Sequence, residues 1–168
     1  MIFDPFSICR ILNEESVEYV VLGGFAAILL GSPITTRDID IIPDRDSGNL
    51  DRLGRALTRM NAEIRISGDS VPTKIDGPFL ANMPHMLNLV TDFGEMDLTF
   101  TPAGSAGTYE GWKAGAVDLL IEESLTVSVA SLDDIIDSKR AANRPKDLMA
   151  LPYLESLRDE IRRREQQT

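Results

Sequence analysis

The stretch LGGFAAILLGSPITTRDIDII, residues 22–42, contains the signals that decide the fold. The β-rich run VEYVVL leads into Gly23-Gly24, and the apolar segment FAAILLG follows the two glycines. This order predicts a buried strand, a tight turn and a short buried helix that ends at Gly31. Glycine lets a backbone approach a phosphate closely, and the N-terminus of the following helix offers free N–H groups. Gly23 and Gly24 are therefore candidate phosphate-binding residues, although a glycine pair alone is most often only a turn.

The same stretch ends in Asp38-Ile39-Asp40, within a segment (TRDIDIIP, residues 36–43) that predicts a second strand. Side chains alternate along a strand, so both carboxylates lie on one face. Two neighbouring carboxylates repel each other unless a positive charge lies between them, and hard cations such as Mg²⁺ bind carboxylate oxygens. Alone, this pattern is most often an exposed strand edge. The glycines at this spacing favour the catalytic interpretation.

A third carboxylate, Asp97, lies in EMDLTF (residues 95–100), which predicts another strand. Its apolar neighbours face the core and leave Asp97 on the polar face, which Glu95 shares. Three carboxylates on neighbouring strands can hold two metal ions about 3.5–4 Å apart, the arrangement used for nucleotidyl displacement. Asp38, Asp40 and Asp97 are therefore the candidate catalytic and metal-binding residues.

The rest of the chain predicts helices and strands in mixed order, which favours an α/β or α+β fold with a mixed central sheet flanked by helices. We expect one domain over residues 1–168, with a core at about 17–130 and a C-terminal helical segment at about 131–165. The other predicted elements are helices at 5–16, 46–61 (with Ser47 as the cap), 131–142 and 144–165, a hairpin turning at 92–94, and a flexible loop at 67–84.

Composition describes an ordinary globular chain of 168 residues, 43% hydrophobic and 26% charged. The net charge of −10 disfavours long-range attraction to nucleic acid and suits a cationic substrate, a basic partner or bound metal ions. Residues 139–164 nevertheless carry eight basic against four acidic side chains. One cysteine, Cys9, agrees with a reducing compartment, and the absence of a visible signal peptide or membrane span makes a cytoplasmic location the expectation.

The chain resembles the DNA polymerase beta-like nucleotidyltransferase pattern. That pattern consists here of Gly23-Gly24, a spacer of thirteen residues, Asp38-Ile39-Asp40 and a later aspartate on a strand. Residues 22–42 look especially similar to abortive-infection-type nucleotidyltransferases, many of which are toxins of toxin–antitoxin pairs. SLDDIIDSKRAANRPKDLMAL (131–151) resembles a segment that these proteins carry downstream. The chain departs from the family in that Gly24 stands where many members have serine. It is also short, with little room for a separate acceptor-binding domain.

The resemblance implies a nucleotidyltransferase fold and an enzyme that transfers a nucleoside monophosphate from a nucleoside triphosphate to a hydroxyl. Asp38, Asp40 and Asp97 would hold Mg²⁺ or Mn²⁺, and Asp97 would also act as the base. Lys139 and Arg144 would contact the nucleotide or acceptor, with Asp147 orienting them. A solvated helix end is an equally good interpretation of these two basic residues.

The acceptor implied first is tRNA or another macromolecule, with the chain as a toxin and a cognate antitoxin protein as its partner. The alternatives are an antibiotic-type enzyme with a small cationic acceptor and a non-catalytic binding module of the same fold. A degenerate member would be expected to lose one of the three carboxylates, and this chain has all of them. The single histidine, His85, is expected to be structural, and Trp112 to pack rather than stack on a base.

Overall fold

The computed structural model describes residues 2–168, and within them an eight-stranded sheet is covered by seven helices. The helices are α1 (Pro5–Glu14), α2 (Gly23–Leu29), α3 (Ser47–Arg59), α4 (Gly77–Ala81), α5 (Tyr109–Gly115), α6 (Leu132–Ala142) and α7 (Pro145–Glu165). The strands are β1 (Tyr19–Leu22), β2 (Asp38–Pro43), β3 (Glu63–Ile66), β4 (Asp69–Val71), β5 (Met86–Thr91), β6 (Gly94–Thr99), β7 (Val117–Glu122) and β8 (Leu125–Val129).

The sheet has the order β4-β3-β5-β6-β2-β1-β8-β7. β2 pairs in parallel with β6, and β1 with β8, while the remaining neighbours are antiparallel. The predicted mixed sheet is therefore confirmed. Its central strands present Ile39, Ile41, Met96 and Leu98 to the core, where all four are fully buried. The alternate positions of the same strands carry the carboxylates on the opposite face.

Most predicted elements are present, with small shifts at their ends. Side chains cap two of the helices as the sequence predicts: Asp4 accepts a bond from the Ser7 N–H, and Ser131 accepts one from the Asp134 N–H. The cap of α3 was predicted wrongly as Ser47. Asp46 is the cap, because its carboxylate accepts hydrogen bonds from the N–H groups of Gly48 and Asn49, at 3.1 and 3.3 Å.

The predicted loop at 67–84 is wrong in one respect, since it contains β4 and α4. Asp76 caps α4 by accepting a hydrogen bond from the Phe79 N–H. Pro78 lies in the first turn, where a backbone N–H would have no partner within the helix, so proline is tolerated there. Ile75 and Leu80 are buried, which anchors the segment against α3. The apolar side chains are too few to show a helical period in the sequence.

α6 and α7 occupy the predicted C-terminal helical segment and meet at Asn143, whose φ of 52° is left-handed. Pro145 begins α7, and Pro152 lies inside that helix, as expected. α6 also packs against α2, the helix that begins at the glycine pair. The basic C-terminal part of the chain is thereby placed beside the carboxylate face of the sheet. The single-domain assignment stays a prediction.

Candidate active site

The three predicted carboxylates meet on one face at the centre of the sheet. Asp40 lies directly opposite Asp97 in the parallel β2–β6 pair, and Asp38 lies opposite Glu95. Residues in register on neighbouring strands point to the same side, and neighbouring strands lie about 4.7–4.9 Å apart. The site residues that the sequence predicted on separate strands are therefore adjacent in the fold.

Asp40 is the most electrostatically unfavourable of the three. Burial raises its pKa from 3.8 to about 7, and the negative charges of Asp38 and Asp97 contribute to the rise. The positive charges of Lys146 and Lys139 oppose it. A carboxylate in this environment is ionised cheaply only when a cation is close, which is the electrostatic signature of a cation site.

The neighbouring carboxylates already have partners. The Thr36 hydroxyl donates to Oδ1 of Asp38 at 2.7 Å, and Nη2 of Arg65 donates to Oδ1 of Asp97 at 3.1 Å. Asp97 is only 8% exposed, and burial raises its pKa even though Arg65 acts in the opposite direction.

With these partners in place, no group of three histidine, cysteine, aspartate or glutamate side chains in residues 2–168 is already gathered to hold a metal ion. The donor set nevertheless fits a hard divalent cation, because it consists of carboxylate oxygens around an Asp40 that burial makes costly to ionise. In the metal-free protein, Arg65 therefore neutralises part of the charge that Asp97 would offer to a cation.

Gly23 lies against this carboxylate cluster for a steric reason. Its φ is +64°, which L side chains rarely adopt, and a Cβ placed on it would lie 2.2 Å from Oδ2 of Asp40. At Gly24 a Cβ would lie 3.0 Å from the side chain of Thr36, the residue that holds Asp38. Both glycines therefore keep room for the carboxylates, in addition to lining the same pocket.

α6 and α7 supply a basic wall of the same pocket. Asp147 is fully buried and accepts bonds from Nζ of Lys139 at 3.3 Å and from Nε of Arg144 at 2.7 Å. Burial opposes ionisation of Asp147, but the bonds from Arg144 and the charge of Lys139 lower its pKa. The predicted orienting role of Asp147 thus has a geometric basis, since one buried carboxylate fixes both cations at the pocket wall.

These groups surround one pocket of about 710 Å³, which is within the range of ordinary ligand sites. The glycine pair and the carboxylates line its floor, and Lys139, Arg144 and Lys146 line one wall. A further part of the lining comes from β3, β5, β6 and the chain next to them, with the polar side chains Arg65, His85, Asn88, Thr99 and Thr101. The pocket therefore brings carboxylates of β2 and β6 together with basic side chains of α6, α7 and β3.

Solved structures similar to this one share a single fold. The lincomycin-bound lincosamide antibiotic adenylyltransferase LnuA superposes with a TM-score of 0.60 at 16% identity, over 91% of this chain and 95% of that one. ANT(2")-Ia in complex with adenylyl-2"-tobramycin superposes with a TM-score of 0.56 at 15% identity, over 94% of each chain. An antigenic nucleotidyltransferase-like protein from Paracoccidioides brasiliensis superposes with a TM-score of 0.53 at 18% identity, over 90% of this chain and 73% of that one. The chain has the nucleotidyltransferase fold. No family model and no curated protein matches the sequence.

Sequence reasoning did not single out several residues that the nucleotidyltransferase fold brings to the site. Arg65 lies between Ile64 and Ile66, and Asn88 between two leucines, so alternation already marked both as polar-face positions. The missing information was strand order: β3 pairs with β5, and Asn88 then lies opposite Asp97. Without that order, neither residue could be placed beside the carboxylates.

Other residues at the pocket differ in how well they were predicted. His85 is exposed at the rim, where Nδ1 lies 2.9 Å from the Thr101 hydroxyl. Trp112 is 1% exposed and donates from Nε1 to the Gly107 carbonyl, as expected for a packing residue.

In residues 2–168 no helix is long and apolar enough to cross a membrane.

The raised pKa of Asp40 makes stability depend on pH in a defined direction. Between the unfolded pKa of 3.8 and the folded value of about 7, the native protein holds a proton that the unfolded chain has lost. The contribution of this carboxyl to stability is therefore full below the unfolded value and is lost as pH rises through the folded one. We expect the Tm of metal-free wild type to fall more than that of Asp40→Asn between about pH 5 and pH 8. Calorimetry in a chelating buffer measures this, and parallel Tm changes in both proteins would contradict it.

Proposed function

We propose that this chain is a metal-dependent nucleotidyltransferase that moves a nucleoside monophosphate from a nucleoside triphosphate to a hydroxyl acceptor. The observation that carries the proposal is one pocket lined by both carboxylates and basic side chains. Asp40 lies in register with Asp97 and beside Gly23, and Asp38 shares their face. Basic side chains fixed by a buried carboxylate line the same pocket. Cations for a triphosphate and carboxylates for metal and proton are what this chemistry requires.

The three carboxylates of the floor would hold Mg²⁺ or Mn²⁺. When bound, such an ion lowers the pKa of the attacking hydroxyl and neutralises charge on the phosphates. Asp97 accepts the proton of the acceptor hydroxyl, since among the three aspartates it alone lies on β6, the strand beside β5, whose polar side chains line the pocket. The acceptor oxygen bonds to the α-phosphorus as the bond to the bridging oxygen breaks, and pyrophosphate leaves with the electron pair.

The basic wall binds the triphosphate. Lys139 and Arg144 are held in position by Asp147, which is fully buried between them. Because the pair is fixed before substrate arrives, little side-chain entropy is lost on binding. Lys146 lies on the same wall and its charge reaches Asp40. These cations also balance the negative charge that collects on the leaving pyrophosphate.

Two acceptor classes remain as proposals. The antitoxin-paired toxin that modifies tRNA stays a prediction from the sequence resemblance alone. A small cationic molecule is the second candidate, and the net charge of −10 with the acidic pocket floor favours it electrostatically. The chains of the lincosamide enzyme and of ANT(2")-Ia, which have small-molecule ligands, are matched over 95% and 94% of their length, so a domain of this size suffices for such acceptors.

The test uses each of the four nucleoside triphosphates labelled at the α-phosphate, with Mg²⁺ or Mn²⁺. The acceptors are total tRNA in one set, and aminoglycosides and lincosamides in another. We expect label to move to one acceptor class with one preferred nucleotide, and pyrophosphate to appear in equal amount. Label on tRNA supports the toxin reading, and label on a small molecule supports the alternative. If nothing is labelled in any set, the non-catalytic binding module becomes the better description.

A further inference from the structure

Arg65 occupies a position between two carboxylates of β6. Its Nη2 lies 3.1 Å from Oδ1 of Asp97, and its Nη1 lies 3.5 Å from Oε2 of Glu95. Asp97 and Glu95 are two residues apart, so they share a face of the strand, and the planar guanidinium can reach either of them. The Asp97 side chain is 11% exposed, whereas that of Glu95 is 42% exposed. Arg65 therefore has one buried partner and one solvent-facing partner.

The bond to Asp97 competes with metal ligation. Arg65 donates to Oδ1 of Asp97, so a cation bound at the other oxygen shares one carboxylate charge with the guanidinium, and the two positive groups repel each other at short range. Nε of Arg65 is buried and has no hydrogen-bond partner in residues 2–168, so the present position does not satisfy the whole guanidinium. Glu95 lies within reach as a replacement partner. If Arg65 moves to Glu95, it keeps an ion pair, but the new pair is more exposed to solvent.

We propose that Arg65 is a positioning residue that acts as the counter-ion of Asp97 in the metal-free protein and transfers to Glu95 when a divalent cation takes Asp97. The inference rests on the proposed function, because it assumes that Asp97 is a metal ligand. Its consequence is that free metal binds weakly: breaking the Arg65–Asp97 pair is part of every binding event. Arg65 also lowers the repulsion among the floor carboxylates while they lack a cation.

The test measures Mn²⁺ binding by calorimetry at about pH 8 without nucleotide, and the Tm shift that Mn²⁺ causes. Arg65→Met removes the competitor, so we expect about tenfold tighter Mn²⁺ binding and a larger Tm shift. Glu95→Gln removes the second partner of Arg65 and should weaken binding several-fold. Arg65→Lys keeps the charge and should remain close to wild type. Equal affinities of Arg65→Met and wild type would overturn the proposal.

General electrostatics alone predicts the same signs, so a double-mutant cycle decides between the two explanations. If Glu95 acts through Arg65, Glu95→Gln changes nothing once Arg65 is methionine. If both act only as charges, their effects add, and the proposal is wrong. The matched control is the remote pair Arg163–Glu160 on α7, joined at 2.8 Å, with Arg163→Met and Glu160→Gln. Neither change should affect Mn²⁺ binding.

Two further outcomes are informative. If Arg65→Met does not fold, the exposed Glu95→Gln still tests the model, and unchanged Mn²⁺ affinity in that variant would contradict it. If neither wild type nor Arg65→Met binds Mn²⁺, the inference fails outright. Failure of the proposed function is a separate result, because it appears as absent label transfer in a protein whose Mn²⁺ affinities can still be compared.

Discussion

Replacing Asp97 with asparagine is expected to reduce nucleotidyl transfer by at least about 10²-fold. Positioned general bases typically contribute about 10²–10⁴-fold, and the loss of a charged ligand opposite Asp40 adds to that. Asparagine keeps the shape and the β6 register but cannot accept the hydroxyl proton. The loss should appear mainly in kcat rather than in the apparent affinity for nucleotide, because the basic wall is unchanged. Steady-state release of pyrophosphate measures both parameters.

Stability separates this catalytic explanation from unfolding. Burial raises the pKa of Asp97, so the folded protein disfavours its ionised form, and a neutral isostere should not lower the Tm at neutral pH. Arg65 retains Glu95 as a partner in the variant. Asp69→Asn, in the exposed edge strand β4, is the matched control and should keep full activity. If Asp97→Asn keeps full activity, the base lies elsewhere, and Glu95 is the next candidate.

The sequence predicted the carboxylate cluster because two strong local signals agreed. Alternation placed Asp38 and Asp40 on one face, and the glycine pair identified the turn that faces them. The pairing of Asp40 with Asp97 is a non-local fact, since β2 and β6 are separated by three other strands in the chain. The family resemblance supplied that relation, whereas hydrophobic periodicity alone could not.

Arg65 shows what remained out of reach. The alternation of polar and apolar residues in EIRI shows that Arg65 lies on the polar face of its strand. Its contact with Asp97, however, depends on β3 pairing with β5 and not with β2, the strand before it in the chain. For Asp147 the family resemblance supplied the expected partners, Lys139 and Arg144. Charge order alone predicts only that α6 ends in basic residues, and burial of the carboxylate depends on how two helices meet. Local propensity describes elements, and the site is formed by contacts between them.

The glycine pair also has a role that the sequence did not indicate. Close approach of phosphate explains the need for small residues at Gly23 and Gly24, and the structure adds a second reason at each position. The space beside Gly23 is filled by the Asp40 carboxylate, and that beside Gly24 by Thr36. A side chain at either position would therefore change the carboxylates even in the absence of nucleotide.

Gly23→Ala is accordingly expected to damage both the fold and the reaction. The backbone φ of +64° costs an L residue roughly 1–2 kcal/mol. The new methyl group would also lie 2.2 Å from Oδ2 of Asp40, where overlap forces that carboxylate to leave its observed position. Displacing a reacting group by about 1 Å can cost about 10²-fold in rate. We therefore expect a lower Tm together with a loss of transfer of about 10²-fold, measured in the same labelled-nucleotide assay.

The matched control for Gly23→Ala is Gly68→Ala, because it separates backbone strain from displacement of Asp40. Gly68 has a φ of +92°, and a Cβ built on it meets nothing within 4 Å. Alanine there incurs a comparable backbone cost, so the Tm should fall by a similar few degrees while transfer stays at the wild-type rate. If both variants lost activity equally, the loss would reflect general destabilisation. If Gly23→Ala alone stayed fully active, then Asp40 would not need its observed position, and the carboxylate cluster would lose its place in the mechanism.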